Sequence, residues 1–249
     1  MKKELLILML IIFSCDSENS PDCFQTTGDL VTKEIIVPSF DKITVFERVQ
    51  LIVKKGPRQT VIVESGKNLI PEISAKVENG RLTIEDKNSC NILRDYNNTK
   101  VFITSPNLVE IRNSSTQDII SDGVLEYPNL SLQSEDFNDP TVTHNSANFK
   151  IQFKGESLNV TVNNISHCFI SGEVNNLNVF FAAGNARFEG AGLIAQNIDV
   201  FQRSSNDLIL HPVQSIKGEI RGTGDIILVN RPSEIDVQSY YTGELKILD

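Results

Sequence analysis

Tryptophan is absent from this 249-residue sequence, methionine occurs twice, and histidine only at His144, His167 and His211. So few imidazoles leave little room for histidine-based catalysis or metal ligation. Basic residues are in deficit as well: 23 Lys and Arg stand against 32 Asp and Glu, a formal net charge of −9. No basic stripe is available to neutralise phosphates, which argues against a nucleic-acid partner and against polybasic attachment to a membrane surface. Beyond residue 33 no stretch carries a clear helical period. Long apolar runs are limited to one, Leu5 to Phe13.

That run follows Lys2 and Lys3 and reads as an export signal. At ~1.5 Å per residue it covers about 14 Å of helix, half of a ~30 Å hydrocarbon core, so it is too short to span. Ile12-Phe13-Ser14-Cys15 resembles the lipobox of bacterial lipoproteins, with Phe13 bulkier than the usual residue there. The resemblance implies a signal over residues 1–14 and a lipidated Cys15 as the mature N-terminus. Ordinary secretion with Cys15 incidental is the alternative. Loss of Lys2, Lys3 and Glu4 makes the mature chain slightly more acidic. Asp16-Ser17-Glu18-Asn19-Ser20-Pro21-Asp22 is polar and acidic, so residues 15–33 are expected to be a solvated tether. The stretch also resembles acidic signals that send some lipoproteins to the outer face of the outer membrane. A surface-exposed outer-membrane lipoprotein is therefore expected, with a periplasm-facing one as the rival. With Cys15 acylated, Cys23 and Cys90 form a candidate disulfide in an oxidising compartment. Cys168, within His167-Cys168-Phe169-Ile170, reads as a small buried hydrophobe.

The rest of the chain consists of short alternating apolar runs punctuated by Gly, Asn, Asp and Pro, the pattern of an all-β protein. Residues 34–104 read as a β-meander. Gln50–Lys54 and Thr60–Glu64 flank the turn Lys55-Gly56-Pro57, and Asn79-Gly80 predicts a type I′ hairpin turn. Over residues 105–249 the texture becomes repetitive. Similar units start at Leu108, Leu130, Leu158, Leu177, Ile198, Ile216 and Ile235, and the last four steps are 19, 21, 18 and 19 residues. A period near 20 residues fits one coil of a β-solenoid, with Leu, Ile, Val and Phe turned inward and Asn, Ser and Thr outward. The longer unit from Leu130 predicts an insertion around Glu135 to Ser146.

Phe40-Asp41-Lys42-Ile43, Val61-Ile62-Val63-Glu64, Asn68-Leu69-Ile70-Pro71, the hairpin Val77 to Leu82, and Ser105-Pro106-Asn107-Leu108 with its following repeats occur in this order. In that order the chain resembles the putative auto-transporter adhesin family with a head GIN domain, over roughly residues 34–247. The resemblance implies a right-handed β-helix-like fold and brings no established catalytic residues. Its usual Ser-Gly-Ala-Ser-Asp-rich repeat is replaced here by Arg112-Asn113-Ser114-Ser115 and Arg203-Ser204-Ser205-Asn206-Asp207.

No catalytic constellation is assembled by the sequence. His144 and His211 read as loop residues. His167 and Cys168 are neighbours on a strand, whose side chains point to opposite faces. Gly222-Thr223-Gly224-Asp225 lacks the lysine of a phosphate-binding loop. Asp207, Asp225 and Glu244 share one repeat position, and Arg203 and Arg221 share another. The carboxylates are expected at solvated corners balanced by those arginines. Calcium binding and a glycosidase-like carboxylate pair are the alternatives. No metal site and no cofactor is expected. Tyr240-Tyr241 is expected to place one ring outward and one over the core. These features predict a non-enzymatic envelope lipoprotein, an adhesin or interaction scaffold whose polar face meets a glycan or a protein. A polysaccharide lyase or glycosidase on a β-helix is one rival, and a structural component binding another envelope protein is the other.

Overall fold

The computed structural model describes residues 22–88, 90, 92, 99–138 and 146–248. The expected signal, Cys15 and His144 lie outside the described residues. Among those described, all regular structure is strand apart from 3-10 turns at Asp22–Phe24 and Ile70–Glu72. The strands are β1 (Leu30–Glu34), β2 (Lys42–Glu47), β3 (Gln50–Lys55), β4 (Thr60–Gly66), β5 (Ile73–Glu78), β6 (Arg81–Asp86), β7 (Lys100–Ser105), β8 (Glu110–Ser115) and β9 (Ile119–Glu126). They continue as β10 (Asn129–Ser134), β11 (Phe149–Val162), β12 (Cys168–Phe181), β13 (Phe188–Gln202), β14 (Leu208–Ile220), β15 (Ile226–Leu228), β16 (Glu234–Ser239) and β17 (Leu245–Ile247). All seventeen belong to one curled sheet.

Two ladders run through this sheet. One passes from β5 through β6, β2, β8 and β10 to the second halves of β11 to β14, ending on β16. The other runs from β1 through β4, β7, β3 and β9 to the first halves of β11 to β14, then β15 and β17. Pairing is parallel throughout, except for β5 with β6, β1 with β4, and β4 with β7. One contiguous apolar cluster includes side chains of both ladders.

In β11 and β12, which serve both ladders, the burial phase flips midway. In β11 the buried residues are Phe149, Ile151 and Phe153, then Leu158, Val160 and Val162, so the inward parity changes across Gly155 to Ser157. A strict period of two would turn one half outward. The strand bends at a corner instead, and both halves bury their apolar residues.

The repeat is in register. Leu130, Leu158, Leu177, Ile198, Ile216 and Ile235 face one another from strand to strand. All but Ile235, on the last strand of its ladder, are buried. Leu132 pairs with Ile111, so Leu130 stands opposite position 109 and the first unit is displaced by one residue from its expected start at Leu108.

The Asn79-Gly80 turn joins β5 to β6 as expected, both residues having positive φ, +51° and +76°. The surrounding meander is not found. β3 and β4 do flank Gly56-Pro57, but β3 runs parallel to β7 and β9 while β4 runs antiparallel to β1 and β7. β2 likewise sits between β6 and β8. The layer formed by β2 and β3 therefore lies between two layers formed later in the chain, β6 with β7 and β8 with β9, and parallel stacking reaches back to Lys42. Parallel neighbours need crossovers, and the antiparallel excursions β4 and β5 lie within the return.

The outer surface is also less uniformly polar than expected. Along the second ladder, Ile62, Phe102, Ile52 and Ile120 follow one another on successive strands, and Phe169, Ile209 and Ile227 lie further along the same line. All are at least partly exposed. β-Branched and aromatic residues suit a strand whichever face they occupy.

Gly172 stands opposite Phe153 in β12, beside a register shift against β13, with φ +119°, and a Cβ there would lie 2.0 Å from the Phe153 carbonyl oxygen. A backbone atom of the adjoining strand cannot move aside cheaply. Gly172→Ala is expected to destabilise the protein by at least about 2 kcal/mol, read as a loss of several degrees in Tm by circular dichroism.

Candidate functional site

The predicted acidic positions lie in a column that extends along much of the second ladder. Strand register places Asp118, Asn148, His167, Arg187, Asp207, Asp225 and Glu244 one above another, each immediately before a paired strand residue. All six steps are closed, five by a side chain that accepts a hydrogen bond from a backbone N–H of the next layer and one by an ion pair. The Asn148 N–H donates to Asp118 Oδ1 (3.0 Å), the His167 N–H to Asn148 Oδ1 (3.0 Å) and the Arg187 N–H to His167 Nδ1 (3.1 Å). Arg187 pairs with Asp207 at 3.4 Å, and the Asp225 N–H donates to Asp207 Oδ1 at 3.0 Å. The Glu244 N–H donates to Asp225 Oδ1 at 2.9 Å.

The counter-charges are not the expected ones. Lys150 meets Asp118 at 2.6 Å, Arg187 meets Asp207, and the Lys246 ammonium bonds Asp225. Arg221 instead pairs with Glu219 and lies 4.3 Å from the Tyr240 ring centroid. Arg203 and Arg221 do stand in one column, but at the turn following the first ladder, and Arg203 is exposed. Repeat spacing fixed which residues align and did not show which side chains cross between columns. Among the described residues no three His, Cys, Asp or Glu side chains converge on a common point. His167 takes part in this column through Nδ1, whereas the adjacent Cys168 is fully buried and its thiol pKa is pushed up by that burial. The two do not form a nucleophile–base pair. His211 contacts the Ala191 carbonyl through Nδ1 at 3.0 Å. Tyr240 and Tyr241 are 54% and 63% exposed, so neither ring covers the core.

Cys23 and Cys90 are bonded, with Cα atoms 4.5 Å apart and 67 residues of separation. The Ile92 N–H donates to the Cys23 carbonyl beside them. The expected insertion opens on Glu135, which is buried and meets Arg112 Nη1 at 2.7 Å. Its residues 139–145 lie outside the described residues.

A polar surface forms the outward face of the first ladder over β11 to β14. Ser157, Asn176, Asn197 and Ser215 form one column, and Asn159, Asn178, Asp199 and Lys217 form the next. Together they line a shallow concavity of about 510 Å³. A second concavity, about 460 Å³, adjoins it at the corner around Lys154, Glu156, Glu173 and Gln196. Glu156 connects the two by accepting from Asn175 Nδ2 at 2.5 Å and Asn176 Nδ2 at 3.3 Å. Lys217 pairs with Asp199 at 3.2 Å, and the Ser215 hydroxyl donates to Asn197 Oδ1 at 2.8 Å.

Two residues further along the same strands stand Phe180 and Phe201, stacked with centroids 4.8 Å apart and planes 18° apart. Phe180 is 37% exposed. Tyrosine and tryptophan were the aromatics weighed in the sequence, so this pair was missed. The signal was present: both phenylalanines occur three residues after a unit start, at an outward position.

These features define a stacked-strand β protein with an organised corner column and a polar sheet face. The family described as putative auto-transporter adhesin, head GIN domain, matches residues 39–232, and the chain belongs to it. A putative adhesin from Bacteroides fragilis shares 20% identity and a TM-score of 0.78, over 90% of this chain and 99% of that one. A putative lipid binding protein from Parabacteroides distasonis shares 17% identity and a TM-score of 0.62, over 90% and 99%. A putative adhesin from Parabacteroides merdae shares 14% and 0.57, over 90% and 98%. At these identities the likeness is one of fold. None of the curated proteins matches the chain.

Two measurements test the architecture of the site. The Lys246 ammonium, and then the Glu244 N–H, hold the Asp225 carboxyl below its ordinary 3.8. The folded chain therefore binds fewer protons than the unfolded one, and this stabilisation is whole above that value and lost as pH falls below it. Wild type should melt above Asp225→Asn at pH 7, with the gap closing as pH falls below the ordinary carboxyl value of 3.8. Removing the disulfide, by reduction or Cys23→Ser with Cys90→Ser, should cost up to about 4 kcal/mol for a loop of this length, measured by denaturant unfolding.

Proposed function

We propose that this chain is a non-enzymatic lipoprotein of the bacterial outer membrane, anchored through Cys15 and surface-exposed, which acts as an adhesin through its outward polar face. Membership of the adhesin family across residues 39–232 is the observation that carries the reading. The parallel ladders support the finer architecture, a right-handed β-helix-like stack. That stack holds its interior apolar residues in common columns and offers side chains to a ligand from its faces. The ligand is a glycan or protein on an opposing surface, and no cofactor is required.

The carboxylates that motivated a lyase or glycosidase accept hydrogen bonds from neighbouring layers and pair with Arg187 and Lys246. This engagement favours a structural role for the column. The lipid binding named for the Parabacteroides distasonis protein has a parallel here only in the apolar line along the second ladder. That line is interrupted by Lys150 and Glu189, so the adhesin reading is preferred.

Replacing Cys15 with Ser should abolish incorporation of a radiolabelled fatty acid and release the protein from the membrane fraction. Deleting the gene should lower attachment of the cells to their substratum. Protease treatment of intact cells should cut the wild-type protein while sparing periplasmic markers. Full protection, or unchanged attachment after deletion, would count against a surface adhesin.

A further inference from the structure

We infer that the β16–β17 end of the stack is a self-association surface, through which copies on facing cells join end to end about a two-fold axis. In that contact β16 of each copy pairs antiparallel with β17 of the other. The inference rests on the anchored-adhesin reading for its cellular role and adds a second contact surface to the polar face.

The interior is left open at this end. Among the described residues β16 pairs only with β14, and β17 only with β15. Ile235 is 38% exposed, although Ile216, its counterpart one layer in, is buried. Val237, Leu245 and Ile247 also face inward and are half-buried, and Tyr240, Tyr241 and Leu248 stand exposed around them. The backbone edge is open too. The Tyr240 and Leu248 N–H groups donate to the Ile220 and Leu228 carbonyls, and the Glu244 carbonyl accepts from Ile226. Successive residues of a strand direct their backbone groups to alternate sides. Those of Ile235, Val237, Leu245 and Ile247 therefore point to the free edge. Such an edge is a template for another strand.

The two edges complement each other in one register. With Ile235 opposite Ile247 and Val237 opposite Leu245, the outward-pointing backbone groups meet as the hydrogen-bonded pairs of an antiparallel ladder. Their side chains lie on the interior side of both strands and extend the apolar columns. Asp236 then stands opposite Lys246 of the second copy, at the intervening pair where side chains come closest. Asp236 is exposed and forms no ion pair among the described residues, whereas Lys246 bonds Asp225 and would gain a second carboxylate. The axis runs beside Tyr241, midway between the paired residues, and brings its two exposed rings together. Pairing β16 with itself is inferior, because matching Ile235 with Val237 sets Asp236 on Asp236. Each surface meets its own copy, so association closes at two.

The described chain enters at the opposite end, where β1 is the outermost strand and Cys23 is bonded to Cys90. Joining the far ends points the two N-terminal segments away from each other, roughly 100 Å apart at about 4.8 Å per strand. Anchors so placed belong to two membranes.

Sedimentation of the purified, unlipidated Cys15→Ser chain from about 1 to about 500 μM should show a monomer–dimer equilibrium. Asp236→Lys and, separately, Val237→Pro should each weaken it at least tenfold. Val237 directs its N–H to the free edge, so proline there removes no bond to β14, and both variants should melt close to wild type. Under oxidation, a mixture of Asp236→Cys and Lys246→Cys chains should form a disulfide-linked heterodimer, and neither variant alone should form a linked dimer. The pairing is overturned if the wild type stays monomeric, if both variants associate as well as it does, if species grow beyond a dimer, or if Asp236→Cys links to itself.

Cell assays separate this contact from the reading beneath it. Wild-type cells should clump with one another and exclude labelled deletion cells, and Val237→Pro cells should not clump. Clumps that recruit deletion cells equally, or clumping retained by Val237→Pro cells, overturn self-recognition and leave the adhesin. A deletion that changes neither clumping nor attachment to the substratum overturns the adhesin and the cellular role with it, even where the purified chain dimerises.

Discussion

Every layer of this protein depends on parallel register between neighbouring strands, which from β11 onward lie about twenty residues apart in sequence. Parallel pairing sends each backbone hydrogen bond to a neighbouring layer. A residue is thus placed by its counterpart some 4.8 Å above or below more than by its sequence neighbours. The apolar column from Leu130 to Ile216 satisfies this constraint by near-identity, since every member is a leucine or isoleucine that packs on another. A slip of one residue on any of these strands would turn its member of the column outward. Core burial and register consequently reinforce each other.

The corners carry the cost of this arrangement. A long strand must bend so that both of its halves face one core, and Gly155, where a Cβ would lie 2.1 Å from the Tyr127 carbonyl oxygen, shows how little space the bend leaves. At the column from Asp118 to Glu244 the same closeness becomes a means of connection. Side chains on one layer accept the N–H groups that the next layer presents outside its strands. Buried charge is handled differently where the chain is less regular. Arg112 and Glu135 meet almost out of contact with solvent, in a pair whose value depends on both partners being present. The regular layers carry their ion pairs in solvent, where each contributes little alone.

The sequence made the period, the inward columns and the Asn79-Gly80 turn legible because each is local or recurs at fixed spacing. Layer order was not legible. Nothing in the alternation of β2 reveals that it lies between β6 and β8, since a parallel strand has the same local pattern whatever its neighbour. The meander reading failed for that reason: chain proximity suggested β3 against β4, while the antiparallel excursions carried the partners elsewhere. The Leu108 unit failed by one residue because Leu108 is buried although it precedes the strand. Aligned carboxylates could be found by spacing, but Arg187 and Lys246 belong to other parts of the repeat and only the folded register brings them there. Phe180 and Phe201 were readable in principle, as outward residues at one repeat position.

The acidic column shows why alignment alone is weak evidence for chemistry. Stacked carboxylates repel at ladder spacing, and taken in isolation Asp207, Asp225 and Glu244 invite a cation. In the folded chain the repulsion is opposed within the layers. Asp207 receives the Asp225 N–H and faces Arg187, and Asp225 receives the Glu244 N–H and faces Lys246. Earlier layers vary the same position through Asn148 and His167, whose neutral acceptors make the equivalent bond without adding charge. The requirement common to this column is therefore an acceptor at the right height, and carboxylate is one way to meet it. Groups committed to holding layers together have little freedom to turn toward a substrate. The groups with that freedom stand on the sheet face, where Asn178 and the phenylalanine pair project away from the ladder hydrogen bonds.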